Sequence, residues 1–275
     1  MAKSILACFA HPDDELSCGP LISLYAAQGV TTTLICTTDG DVGTVDAKHM
    51  NGYNSIRDLR LAELQCATSL LGFSEVVTFN YRDSGMMGSP DNAHPDSSWQ
   101  IPLETMTARV VEVMRRTRPQ VVITFNEYGG YGHPDHIKIN QATVAAFQQL
   151  QSEPYHPQKL YYTSGPRLFS QVSLLLMKLT GRDPRKSGKN KDVDLVAAVE
   201  ASAPPTTRIA ARKYAELSLQ AARCHASQLP SIPDNIFART LGSFFFGSVA
   251  LERVYPPPDR GAPLERDVFE NVTVD

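Results

Sequence analysis

The sequence has no stretch approaching the ~20 apolar residues that a membrane-spanning helix needs. It also lacks the long apolar segment and small-residue cleavage site of a secretory signal, because the run from Ile5 to Ala10 stops at His11-Pro12-Asp13-Asp14-Glu15. Neither sign of charge dominates: 26 Lys and Arg against 29 Asp and Glu leave a formal net charge of -3. That balance gives no pull towards nucleic acid or an anionic bilayer. Cysteine is scarce and unpatterned, with Cys8, Cys18, Cys36, Cys66 and Cys224 scattered and no C-x-x-C. Such a set reads as reduced thiols rather than a disulfide framework. Phosphate-cradling signatures are missing as well: there is no G-x-G-x-x-G and no Walker sequence, and Gly129-Gly130-Tyr131-Gly132 has the wrong spacing. These absences predict a cytoplasmic chain without membrane or nucleic-acid partners, and they weaken a nucleotide-binding role. What remains is ordinary for a globular enzyme, 42% apolar and 20% charged over 275 residues, enough to bury a large core.

The first half alternates short β-rich runs with amphipathic stretches. Strands are expected at residues 4–10, 30–37, 75–80, 121–125 and 159–164, with helices at 15–28, 56–71, 103–116 and 135–150. This alternation implies an α/β fold: a Rossmann-like, mostly parallel sheet with helices on both faces and a C-terminal extension. Residues 1–165 form the expected catalytic core and 166–205 a variable insertion. Residues 206–275 complete the same domain and end in a tail. The polar, basic stretch 181–192 reads as an insertion, with a substrate lid as the other reading. A long helix is expected over 206–229, and a helix end or strand over 244–255.

In such sheets, ligands bind beyond the carboxyl ends of the strands, and the unusual residues of this chain fall there. His11-Pro12-Asp13-Asp14-Glu15 follows the first strand, and His133-Pro134-Asp135-His136 follows the fourth. Zinc accepts imidazole nitrogen and carboxylate oxygen, and a catalytic site uses three protein ligands with one position left for water. His11 and Asp14 from one loop with His136 from the other supply two imidazoles and a carboxylate. Proline followed by acids is also what a helix N-terminus favours. Two such loops, each with histidine and each after a strand, exceed what capping requires.

Ala10–Glu15 (AHPDDE) with Gly132–His136 (GHPDH) resembles the LmbE, or PIG-L, family of zinc-dependent N-acetylglucosamine deacetylases. The stretch from Tyr81 to Met86 is similar to a third motif of the mycothiol-pathway deacetylase and amidase branch. Arg60 and Glu63 sit where that family's helix carries Arg-x-x-Glu, and Ala222–Gln228 resembles its His-x-Ser/Thr-Gln stretch. The resemblance implies a Rossmann-like fold, one zinc per chain on His11, Asp14 and His136, Asp13 as general base and His133 as electrostatic or acid partner. It further implies that Asp83, Arg60 and Glu63 meet the substrate; Asp41, following the second strand, and Tyr131, in the glycine-rich loop before His133, are expected at the same mouth from their positions. As bare residues these last are less telling. Asp83 beside Ser-Gly and Asp41 after Asp39-Gly40 suit turns, and Arg60 with Glu63 suits a helix-surface ion pair.

The expected function is therefore hydrolysis of an N-acetyl or other N-acyl amide on a glucosamine-containing small molecule, through a metal-bound water. A mycothiol-type S-conjugate amidase is the alternative. A metal-dependent phosphoesterase and a sugar-binding protein without catalysis stand further off. Homo-oligomerisation is left open.

Overall fold

The protein was analysed as a computed structural model that describes residues 2–165, 167–188, 190–233, 235, 240, 243 and 246–274. A seven-stranded sheet runs in the order β3-β2-β1-β4-β5-β7-β6. Its first five strands, β1 (Ser4–Phe9), β2 (Thr31–Thr38), β3 (Glu75–Tyr81), β4 (Val121–Thr124) and β5 (Lys159–Ser164), are parallel neighbours. The expected α/β architecture is thus observed. β1 is buried along its whole length, as the central strand of a sheet covered on both faces must be. β7 (Ser248–Tyr255) runs antiparallel to β5, and β6 (Thr207–Ala210) antiparallel to β7.

The helices begin and end where local chemistry dictates. α1 (Gly19–Ala26) carries Pro20 in its first turn. α2 (Ile56–Leu71) is capped by the Ser55 side chain, which accepts from Asp58 N–H, and stops at Gly72 in the left-handed region. α3 (Leu103–Thr117) covers the sheet beside α5 (Pro134–Leu150), whose N-cap is His133. A single irregular turn, α4 (Gly129–Gly132), precedes it. The segment 166–205 contains α6 (Arg167–Leu179) and α7 (Leu195–Ala201).

Three expectations need correction. The helix anticipated at 15–28 is a 3-10 turn, Asp14–Ser17, followed by the shorter α1. The long helix anticipated at 206–229 is instead β6, a 3-10 turn and α8 (Ala215–Cys224). Thr207 and Ile209 turn inward and pair along β7, and the ladder overrides the helix-forming composition around them. Within 244–255 the strand reading holds from Ser248, while 244 and 245 lie outside the described residues. The cysteines also differ from expectation. Cys8, Cys18 and Cys36 are free and buried, but Cys66 on α2 is disulfide-bonded to Cys224 at the end of α8, with Cα atoms 5.9 Å apart.

Successive strands lie outward from β1 on one side (β2, β3) and from β4 on the other (β5), so the strand order reverses between β1 and β4. The loops after these two strands carry both histidine motifs, and a switch point of this kind is where open α/β sheets bind ligands.

Candidate active site

Three side chains converge at that point. His11 Nδ1 lies 3.0 Å from His136 Nε2 and 3.4 Å from Asp14 Oδ2, and His136 Nε2 lies 3.4 Å from Asp14 Oδ1. Metal–ligand bonds of ~2.0–2.1 Å in a tetrahedron give edges of about 3.4 Å, so the triangle fits a zinc-sized ion. The remaining imidazole nitrogens are committed elsewhere. His11 Nε2 is 3.1 Å from Asp135 Oδ2, and His136 Nδ1 is 3.1 Å from Gly129 O. Partners of this kind fix tautomer and ring orientation in metal sites. Gly129 must be glycine, since a Cβ there would lie 2.9 Å from His136 Cβ and from Ile137 N.

Electrostatics agree with a cation site. Burial alone would lower the His11 pKa, but Asp83, Asp135 and Asp14 raise it well above the usual imidazole value. These carboxylates draw a proton onto His11 where a divalent cation would answer them equally. Burial would raise Asp14, yet the imidazoles of His136 and His11 hold it well below the carboxylate range. Burial pushes His136 down to about 4, leaving it neutral, the form that ligates metal.

Asp13 stands beside the triangle with a backbone at φ 120, ψ -21, a left-handed conformation that a residue with a side chain keeps only under constraint. Its N–H donates to Glu15 Oε2 at 2.9 Å. From α2, Arg60 donates to the Pro12 carbonyl and places Nη2 3.1 Å from Asp13 Oδ2. Burial pushes the Asp13 carboxyl up to about 7, with Arg60 opposing the rise. Gly40 makes room for that guanidinium, since a Cβ there would lie 2.3 Å from Arg60 Nη1.

A cavity of ≈ 380 Å³ opens beside His11 and Asp13, while Asp14 and His136 do not line it. Its floor includes His11, Asp13, Asp83 and His133, and Arg60 and Tyr131 also line it. Gly188, Asn190, Asp192 and Gln228 form part of its wall, so the basic stretch borders the site. His133 accepts the Asp135 N–H at Nδ1, which leaves its neutral proton on Nε2. Burial, with His11 and His136 nearby, lowers its pKa well below the ordinary value. A neutral His133 is a donor through Nε2–H.

Two of the expected substrate-binding residues lie outside this cavity. Glu63 does not line the cavity: its carboxylate accepts from Ser227 N–H at 2.8 Å and Ser227 Oγ–H at 2.7 Å. Asp41 faces a second, neighbouring hollow, where it accepts from Arg82 Nη1 at 2.8 Å and Asp83 N–H at 3.0 Å. Arg60 is turned onto Asp13, so no Arg60–Glu63 surface pair exists; both residues are buried. Two groups escaped the sequence reading. Asp135 is fully buried and accepts from Ser84 N–H at 3.0 Å and from the Ser84 hydroxyl as well as orienting His11. Its place between two ligand-type residues in His-Pro-Asp-His was the available signal. Glu15, paired with His225, gave no such signal.

The family described as PIG-L: GlcNAc-PI de-N-acetylase matches residues 6–147, which contain both histidine motifs. A 1D-myo-inositol 2-acetamido-2-deoxy-alpha-D-glucopyranoside deacetylase of Acidothermus cellulolyticus is 36% identical over 296 aligned positions, covering 100% of this chain and 97% of the relative. Among solved structures, N,N'-diacetylchitobiose deacetylase from Pyrococcus horikoshii superposes with a TM-score of 0.57 at 22% identity, over 92% of this chain and 84% of the other. The 4-carboxy-2-hydroxymuconate hydratase GalB of Pseudomonas putida gives a TM-score of 0.60 at 17% identity, over 94% of this chain and 99% of the other. The architecture thus hosts more than one chemistry, and reaction type must be argued from the site.

Proposed function

Because this chain belongs to the PIG-L family of GlcNAc-PI de-N-acetylases, we propose that it is a zinc-dependent hydrolase removing the N-acetyl group from a glucosaminyl-inositol. Water and the amide become acetate and a free amine. The observation that carries the reading is the His11–Asp14–His136 triangle, whose His11 lines the cavity together with the adjacent Asp13. Two imidazoles and one carboxylate with edges of 3.0–3.4 Å suit zinc. Bound there, the ion supplies Lewis acidity towards the acetyl carbonyl and lowers the pKa of a water.

The protein's own groups do the rest. Asp13, held near pH 7 by burial against Arg60, takes a proton from the attacking water and returns it to the departing amine. A group with a pKa close to the working pH serves both directions. His133 points a neutral N–H into the cavity, where it stabilises charge growing on the carbonyl oxygen. Asp83 at the floor accepts hydrogen bonds from sugar hydroxyls, and Tyr131 closes the rim. Among the described residues no helix is long and apolar enough to cross a membrane. We place the chain in the cytoplasm, where the Cys66–Cys224 bond would be open to reduction.

The test is release of primary amine by the zinc-loaded protein from a panel of N-acetylglucosaminides that includes the inositol glycoside, with Asp13→Ala alongside. Release that is greatest for the inositol glycoside and vanishes in the variant is expected. No release from any member, with zinc bound, would overturn the reading.

A further inference from the structure

The imidazole of His225 is fully buried in the turn after α8, yet it does not line the catalytic cavity. Its Nε2 is 2.6 Å from Glu15 Oε1, while its Nδ1 has no hydrogen-bond partner. Glu15, equally buried, turns its other oxygen to the Asp13 N–H at 2.9 Å. The peptide it holds is the one at φ 120, a conformation that persists only when its surroundings over-determine it. We propose that His225 is a positioning residue for Asp13: by fixing the Glu15 carboxylate it holds the strained peptide that aims the Asp13 side chain. This rests on the reading of Asp13 as the base.

The turn carrying His225 is itself anchored. Cys224, the preceding residue, is bonded to Cys66, and Ser227 donates twice to Glu63. Both anchors lie on α2, the helix from which Arg60 grips Pro12 O and Asp13 from elsewhere in the chain. The Asp13 loop is therefore held by two arms, Arg60 and Glu15–His225, that share one support. A histidine suits the second arm because it is a donor that reaches the buried carboxylate. An apolar residue there would leave Glu15 Oε1 buried without its partner.

The experiment uses the full zinc-loaded chain with His225→Ala, His225→Asn, whose shorter amide stops short of Glu15, and His225→Gln, whose longer amide can donate to it. In the Ala and Asn variants kcat should fall about 10- to 100-fold, with KM within about twofold and zinc content unchanged. His225→Gln should recover much of the loss. Hydrogen exchange at the Asp13 amide should accelerate in Ala and Asn and return towards wild type in Gln, and the Asn variant decides the matter should Ala fail to fold. Wild-type kcat and unchanged Asp13 exchange in Ala or Asn would overturn the proposal. So would equal loss of kcat, zinc and thermal stability in all three variants. Should the wild-type protein release no amine, the proposed reaction falls, yet exchange still decides the positioning: acceleration supports it and no change overturns it.

Discussion

Replacing Arg60 by glutamine tests how the protein sets the working pH of Asp13. Burial drives the Asp13 carboxyl up to about 7, and the guanidinium 3.1 Å away is the largest force opposing a further rise. Two unit charges at that distance interact by about 5 kcal/mol at an effective dielectric of 20. The measured effect of a neighbouring opposite charge is smaller, ~1–3 pH units on a carboxyl. Asp13 works as a base only when ionised, so a higher pKa removes the working form over a wider acidic range. In Arg60→Gln the acidic limb of kcat/KM should move up by ~1–3 pH units. The rate at pH 7 should fall about 5- to 500-fold and recover at alkaline pH. Arg60→Lys keeps the charge but loses the fork that also reaches the Pro12 and Gly40 carbonyls, so its limb should move less. The assay is amine release across the pH range by zinc-loaded protein. A loss in Arg60→Gln that is constant with pH, with the limb unmoved, would refute the reasoning and place Arg60 on the substrate instead.

His136→Ala should lose the metal, read as zinc per chain after dialysis, whereas Asp13→Ala should keep it and lose turnover by about 10²–10⁴-fold. Full zinc occupancy in the first variant would remove His136 from the ligand set. Opening the Cys66–Cys224 bond, which closes a separation of 158 residues, releases denatured-chain entropy equivalent to about 5 kcal/mol at most. Urea unfolding with and without a dithiol should show a loss of about 2–5 kcal/mol, and coincident curves would mean the bond contributes nothing. Asp39 is pushed up to about 6 by burial and by Asp41. Its folded state binds more protons than the unfolded chain between about pH 4 and 6, so stability falls as pH rises through that window. Asp39→Asn should flatten this fall, by at most about 3 kcal/mol; an unchanged pH profile of urea stability would count against it.

The convergence of His11, Asp14 and His136 was legible because metal chemistry is written in residue type and short spacing. His11 with Asp14 and His136 with its neighbours each lie within one loop, and each loop follows a strand whose β-branched, apolar run is itself local. The partners of Arg60 and Glu63 were not legible. Their i, i+3 spacing puts both on one face of α2 but does not say what packs there. The Pro12–Asp13 loop lies against one and Ser227 against the other. Asp41 illustrates the same gap: its place after β2 points to the sheet's mouth, and its side chain pairs with Arg82 in the neighbouring hollow. β6 was hidden because four alternating residues in an Ala-, Arg- and Lys-rich stretch read as helix until β7, some forty residues on, pairs with them.

These failures share one cause, and it has a functional edge. The residues proposed to bind the ion are local in sequence, whereas the groups proposed to aim the base arrive from far away: Arg60 over 47 residues and His225 over 210. Tight constraint on a strained peptide cannot come from its own loop alone, because the loop is what is strained; Glu15 holds the Asp13 N–H only as His225 fixes it from outside. Zinc binding and turnover should therefore separate under mutation in the C-terminal part. Changes at 224–228 should leave the triangle's affinity for zinc near wild type while lowering kcat, and changes at 11, 14 or 136 should abolish both together. If substitutions at 224–228 instead released zinc in proportion to the activity lost, the C-terminal segment would be a support for the metal centre itself, and the division between local ligands and distant aim would be false.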